Sequence, residues 1–294
     1  MIQKNWTILL VAALTIMMST ITFAGGHGHQ RPVKKGILLV AFGSSIPEAQ
    51  VSFKNIDAKV KAAFPDVPVR WAYTSAIIRH KLAREEGKSL DSVAIALAKM
   101  MDEEFTHVAV QSLHTIAGEE YHDLVRTAEA FRDMADGFDR IMVGFPLLGT
   151  QKDLERIVDV TIRHIPEERK NGDAVILMGH GTPHPGNVFY AAMMFNFQQK
   201  DPNIFVGTVE GWPEIDDVKN LLKEKNLKKA YLMPFMSVAG DHARNDMAGD
   251  EDDSWKSILT KAGVQCVPVL KGMAEYDDVV AVWVDHLKQV MAHF

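Results

Sequence analysis

The sequence predicts an α/β fold of two similar halves, each a parallel sheet flanked by helices. Three observations lead to it. Short apolar runs alternate with amphipathic stretches, the pattern of a parallel sheet covered on both faces by helices. The clearest run, Val175–Met178, is apolar at consecutive positions, as a strand buried on both faces requires. The alternation also begins a second time. ILLVAFGSSIPEA at Ile37–Ala49 lines up with VILMGHGTPHPGN at Val175–Asn187, VRWAYTS at Val69–Ser75 with FVGTVEG at Phe205–Gly211, and LHTIAGEEYHD at Leu113–Asp123 with FMSVAGDHARN at Phe235–Asn245.

In chain order, residues 1–26 read as an export signal. Lys4 is the only charge before an apolar stretch from Trp6 to Phe23, and Thr22 and Ala24 are small residues suited to a cleavage site. Retention as a membrane anchor is the alternative reading. The first half, 27–165, is expected to hold strands at Gly36–Ala41, Val67–Tyr73, His107–Leu113 and Arg140–Val143. Helices are expected between them at Glu48–Phe64, Ser89–Glu104 and Tyr121–Asp136, with another near Asp153–His164. The second half, 166–294, repeats the plan with strands at Ala174–Met178, Ile204–Val209, Ala230–Met233 and Val264–Val269. Its helices are expected at Asn187–Lys200, Glu214–Glu224, Asp252–Ala262 and Tyr276–Ala292. Asp252 or Ser254 would cap the third of these.

Composition narrows the function. The net charge of −6 is spread along the chain, which argues against a nucleic-acid partner. Cys266 is the only cysteine, so an exported chain has neither an internal disulfide nor a thiolate metal cluster, and nitrogen and oxygen donors must hold any metal. The chain contains no GxxxxGK[ST] loop, no GxGxxG opening a helix and no GxSxG elbow, which argues against chemistry driven by a bound nucleotide.

Three residues fall just after predicted strands of the second half: His180 between Gly179 and Gly181, Glu210, and His242. Open α/β sheets keep their ligand sites at the carboxyl ends of strands, and neighbouring strands lie about 5 Å apart. Two imidazoles and a carboxylate there suit Zn²⁺, Co²⁺ or Fe²⁺ and leave coordination positions open. The same imidazoles are also competent proton acceptors without a metal. The first half has Phe42 opposite His180, Thr74 opposite Glu210 and Glu120 opposite His242, so the second half is expected to carry the chemistry. His114, at a first-half strand end, is read either as core or as facing the same cleft. His122, opening a helix after GEEY, is read either as a surface residue or as an additional metal or haem ligand between subunits.

MGHGTPHPGN at Met178–Asn187 and AGDHARNDMAGDEDDSW at Ala239–Trp255, with LLVAFGSS, AYTSAIIRHKL and QSLHTIAGEEYHDL in the first half, resemble the anaerobic sirohydrochlorin cobaltochelatases, the CbiK-type class II chelatases. The resemblance covers essentially everything after the export segment. It implies two α/β halves with a tetrapyrrole cleft between them, and ATP-independent insertion of Co²⁺, as substrate metal, into sirohydrochlorin. His180, Glu210 and His242 match the family's metal-binding positions, and the two histidines are expected to be catalytic. Arg79, Lys81, Arg84, Arg126 and Arg244 are candidates for contacting the acidic ring. Most relatives lack an export segment; from the one here this chain is expected in the periplasm, free of the membrane once the signal is removed, with a homo-oligomer as one expected partner state alongside a monomer. The competing expectations are Fe²⁺ insertion into the same or a related ring, and an exported metal or tetrapyrrole carrier that never turns over.

Overall fold

The computed structural model describes residues 31–294, and the export segment expected at 1–26 lies outside the described residues. Two four-stranded parallel sheets form the frame. The first orders β2 (Val69–Tyr73), β1 (Lys35–Ala41), β3 (His107–Ser112) and β4 (Arg140–Gly144). The second orders β6 (Ile204–Thr208), β5 (Ala174–Gly179), β7 (Lys229–Pro234) and β8 (Gln265–Pro268). The same strand order twice is the spatial counterpart of the repeat in the sequence. Each sheet is centred on its most apolar strand, β1 or β5, and all of AVILMG in β5 is buried.

Alternating side chains of the central strands divide the interior into three layers. Ile37, Leu39 and Ala41 of β1 join Val175 and Leu177 of β5 in one continuous core between the sheets. Leu38 and Val40 face the outer layer of the first sheet, under helices α3 (Val93–Asp102) and α4 (Glu119–Arg132). Ile176 and Met178 face the outer layer of the second, under α7 (Ile215–Glu224) and α8 (Trp255–Lys261). The remaining helices are α1 (Gln50–Ala63), α2 (Ala76–Glu86), α5 (Gln151–Arg163), α6 (Val188–Lys200) and α9 (Asp277–Met291).

Helix α2 is not announced by the hydrophobic pattern. It buries only Leu82, so its sequence has almost no apolar stripe to read. It is set by its ends: Ser75 Oγ accepts the Ile78 N–H, and Gly87 closes it at φ 63°, a left-handed conformation that glycine adopts without strain. The expected start of the next helix at Ser89 moves to Val93, because Ser92 caps it through the Ile95 N–H.

The last helix joins the two halves. α9 buries Val280, Trp283 and Leu287 in the central core and lies against β3, β4 and α1 of the first half. Its His286 ring bridges the Phe145 carbonyl at 3.1 Å and Asp153 Oδ2 at 3.0 Å, the same carboxylate that accepts the Thr150 N–H to cap α5. Arg156 and Arg163 of α5 reach Asp285 and Asp278 of α9 at 2.8 and 3.0 Å. Val33–Phe294 is accordingly one compact unit.

His114, just past β3, is half-buried, with its ring nitrogens turned inward. Its Nδ1 pairs with Ser112 Oγ at 2.9 Å, its Nε2 is buried without a partner, and burial lowers its pKa to about 4. Between the unfolded value near 6.5 and about 4 the unfolded chain binds a proton that the folded chain refuses, so stability falls as pH falls through that window. The unfolding free energy of wild type minus that of His114→Gln should therefore shrink by about 2–3 kcal/mol between pH 7 and about pH 4 in urea titrations. A gap independent of pH would show that His114 does not stay neutral in the fold.

Candidate metal centre

The site is built where β6, β5 and β7 end side by side. His180 is the first residue after β5, Glu210 follows β6 by two residues, and His242 lies on the longer loop after β7. One donor atom from each falls within 4.8 Å of the other two, the only such group of three or more potential ligands among the described residues. His180 Nδ1 is 3.9 Å from Glu210 Oε2, and the His180 and His242 rings meet edge to face at 4.8 Å between centroids. Donors about 2.1 Å from a shared ion stand about 3.4–4.2 Å apart, so a set with one atom of each residue within 4.8 Å of the others closes on one cation by small side-chain adjustments. The side chains remain 34 %, 58 % and 31 % exposed for His180, Glu210 and His242, which leaves an open face for a second reactant.

Backbone packing holds the first two donors in place. Gly181 has φ 84°, and a Cβ there would stand 2.6 Å from the Gly211 nitrogen and 2.8 Å from the Glu210 carbonyl carbon. Any side chain at 181 would thus push the two loops apart. Across the contact, the Glu210 N–H donates to the His180 carbonyl at 2.8 Å. Asn187 bridges the loops: its Oδ1 accepts the Thr182 N–H at 3.1 Å and its Nδ2 donates to the Trp212 carbonyl at 2.6 Å. Beneath them the Tyr190 ring fills the space a Cβ on Gly179 would need, 2.2 Å away. Burial pushes the Tyr190 phenol up to about 12, although the backbone N–H groups of Gly181 and His180 face its oxygen.

Each histidine has one ring nitrogen engaged inside the protein. His180 Nδ1 lies 3.0 Å from the Gly181 carbonyl, and His242 Nδ1 makes a short hydrogen bond to Asp246 Oδ2. A donor role for Nδ1 in both leaves the Nε2 lone pairs for a metal, the usual result of a carbonyl or carboxylate behind a metal-binding histidine. Asp246 reaches His242 across one helical turn, the chain forming a single π-helical turn at Ala243–Met247 directly after the histidine. From the first half, the Phe42 ring lies 5.8 Å from that of His180.

The other expected residues separate in space. His122 is not among the three. It is exposed on α4, stacks on His184 with ring centroids 4.8 Å apart, and holds the Gly118 carbonyl through Nδ1 at 2.8 Å. Of the acids around His242, Asp250 and Asp252 pair with Lys256 and Lys261, while Asp241 accepts from Asn245. Ser254 caps α8 through the Ser257 N–H, the role left open between it and Asp252. Sequence reasoning passes over Tyr190 and Asn187, whose roles depend on loops far apart in the chain. Asp246 carried a local signal, since HARND puts a carboxylate four residues beyond the histidine, within reach across one helical turn.

Asp246→Ala is expected to weaken Co²⁺ binding by roughly 10–100-fold, the effect typical of removing the carboxylate behind a metal-binding histidine, while leaving the unfolding midpoint nearly unchanged. Calorimetric titration of the purified protein with Co²⁺ measures it. Wild-type affinity in the variant would mean that something else orients His242.

Comparison with known proteins gives a consistent result. Residues 35–292 match the model of the family described as cobalt chelatase (CbiK). The chain is 46 % identical over 259 residues to the sirohydrochlorin cobaltochelatase CbiKC of Nitratidesulfovibrio vulgaris strain Hildenborough, covering 88 % of this chain and 91 % of that one. It is 36 % identical over 262 residues to the sirohydrochlorin cobaltochelatase of Salmonella typhimurium, covering 88 % and 97 %. Among solved structures, SirB from Bacillus subtilis with Fe³⁺ superposes with a TM-score of 0.58 at 16 % identity, over 89 % of this chain and 97 % of that one, a likeness of fold. The chain, with two parallel sheets in one order and three side chains able to donate to a metal gathered at the ends of the second, belongs to the CbiK cobalt chelatase family.

Proposed function

We propose that the protein is a sirohydrochlorin cobaltochelatase that inserts Co²⁺ without a nucleotide and works in the periplasm. The observation that carries the activity is the convergence of His180, Glu210 and His242 within 4.8 Å on an open rim, in a chain of this family. Similarity to two relatives named for that reaction supplies the substrate pair.

The chemistry follows from the donors. Hydrated Co²⁺, the substrate metal, exchanges water for the two imidazoles and the carboxylate, and the open face receives the macrocycle. Insertion forms four bonds from ring nitrogens to the metal and releases two pyrrole N–H protons. As the ion leaves, each histidine recovers a nitrogen lone pair beside the ring, where it accepts one of those protons. Glu210, more than half exposed, keeps the site negative while the cation is loaded. No step needs phosphate transfer.

Fe²⁺ insertion uses the same donors, and a carrier would bind metal and ring without releasing product. Steady-state metallation of sirohydrochlorin by the purified protein, with Co²⁺ and Fe²⁺ in parallel, separates these readings from the proposal. His122 is proposed as the additional ligand position, because the Gly118 carbonyl holds Nδ1 and leaves Nε2 on an exposed surface.

His180→Ala and His242→Ala should each lower Co²⁺ insertion roughly a hundredfold or more, the usual loss when an acid–base group is removed, with the fold retained because both side chains lie on loops outside the core. Turnover near wild type in either variant, followed by the absorbance of the metallated ring, would show that the three donors do not share the ion.

The proposed location rests on the export pattern of residues 1–26. Among the described residues no helix is long and apolar enough to cross a membrane. Amino-terminal sequencing of protein from fractionated cells should find a chain starting near Gly25 in the periplasmic fraction. An intact Met1 in the membrane fraction would establish an anchor, and one in the cytosol would remove the exported role.

A further inference from the structure

We propose that Arg79 and Arg244 are the carboxylate-recognition residues of the macrocycle, one from each half, both on segments packed about the metal centre. This rests on the chelatase reading and assigns the ring-binding contacts within it.

The arginines considered from sequence divide cleanly. Arg84 and Arg126 rest on Glu85 and Asp123. Among the described residues no hydrogen bond or ion pair engages the side chain of Arg79 or Arg244, and each buries its Nε without an acceptor. A buried, unpaired guanidinium N–H is costly, and a bound anion or water that completes it is one explanation for such a group. The planar fork of arginine fits a carboxylate through two parallel hydrogen bonds, which makes the missing partner an acidic group.

Both residues are tied to the metal centre through the packing of their segments. Arg244 is two residues past His242, in the π-helical turn that carries Asp246. Arg79 is in the first turn of α2 beside Ile78, and Ile78 Cγ2 stands 3.2 Å from where a Cβ on Gly43 would be. Gly43 adjoins Phe42, whose ring meets that of His180 at 5.8 Å. Ser44, next in the same loop, lies 3.3 Å from the Cβ position of Gly240, two residues before His242. The loop of residues 42–44 therefore spans from the helix of Arg79 to the loop of Arg244, past the metal donors.

Electrostatics requires such a pair. The centre is acidic, with Glu210, Asp241 and Asp246 around the donors, and the chain carries a net charge of −6. That field collects a cation and repels a ring edged with carboxylates. Two guanidiniums, one from each half, offset the repulsion and hold the ring by its periphery, leaving its inner nitrogens to the ion.

The test separates ring binding from metal binding. Wild type, Arg79→Ala, Arg244→Ala and the matching Lys variants are titrated with metal-free sirohydrochlorin by fluorescence, and with Co²⁺ alone by calorimetry. Each Ala variant should bind the ring about tenfold or more weakly, with partial recovery in Lys and Co²⁺ affinity unchanged, as for a lost charge-assisted hydrogen bond. Sirohydrochlorin with its carboxylates esterified should bind wild type and Ala variants alike. Ring affinity within about twofold of wild type in the Ala variants, or a parallel loss of Co²⁺ affinity, would overturn the assignment. A wild-type protein that binds the ring in this Arg-dependent way yet never metallates it would overturn the chelatase reading and leave the arginines in place. One that does not bind the ring overturns both.

Discussion

The site depends on one close approach, the backbone of Gly181 against that of Glu210 and Gly211. With φ 84° and less than 3 Å between its Cβ position and the neighbouring loop, residue 181 must be glycine for the β5 and β6 loops to touch. From that contact follow the hydrogen bond from the Glu210 N–H to the His180 carbonyl, the Asn187 bridge to Trp212 and the 3.9 Å between the two donor side chains. Loops are usually the most mobile parts of a domain, and a metal site needs its ligands held to a fraction of an ångström. Here a backbone-to-backbone contact supplies that rigidity for two donors, and the carboxylate behind His242 supplies it for the third.

The frame beneath is symmetric, but the chemistry is not. Both sheets use one strand order, so each presents three adjacent strand ends on which donors could be mounted. The first half places Phe42, Thr74 and Glu120 at its corresponding sequence positions, a poor set for a divalent ion, and contributes an aromatic face to His180 instead. Division of labour of this kind needs the halves fixed against each other. The central core shared by β1 and β5, and α9 laid across the first sheet with Trp283 wholly buried, provide it. The charged contacts of α9 with α5 lie at the edge of that core, where ion pairs add register more than stability.

Chelation asks contradictory things of one surface. The ion must be attracted, yet held weakly enough to leave, and the incoming ring is itself an anion. Half-exposed donors answer the first demand, because a solvated site binds a cation without the full penalty of burying charge. The proposed role of Arg79 and Arg244 answers the second, since a guanidinium meets a carboxylate on the ring's edge without competing for the ion.

The sequence by itself determined the strands and their repeat, and it singled out the three residues that converge at the strand ends. Consecutive buried residues such as VILM leave a continuous apolar run, and glycine, proline and histidine at a strand end make a local mark that no folding is needed to read. The export pattern is equally local. Tertiary structure alone decided the rest. Helix α2 has no apolar stripe because it buries only Leu82, and its existence hangs on a serine cap and a terminal glycine. Asn187, Tyr190 and His286 gain their roles from partners far along the chain, or on another element, that only packing brings near. Which arginines stay unpaired is likewise invisible in sequence, since Arg84 and Arg79 look alike until Glu85 is seen to take one and nothing the other. Pairing of charges is a property of distances in space, and the sequence lists only the charges.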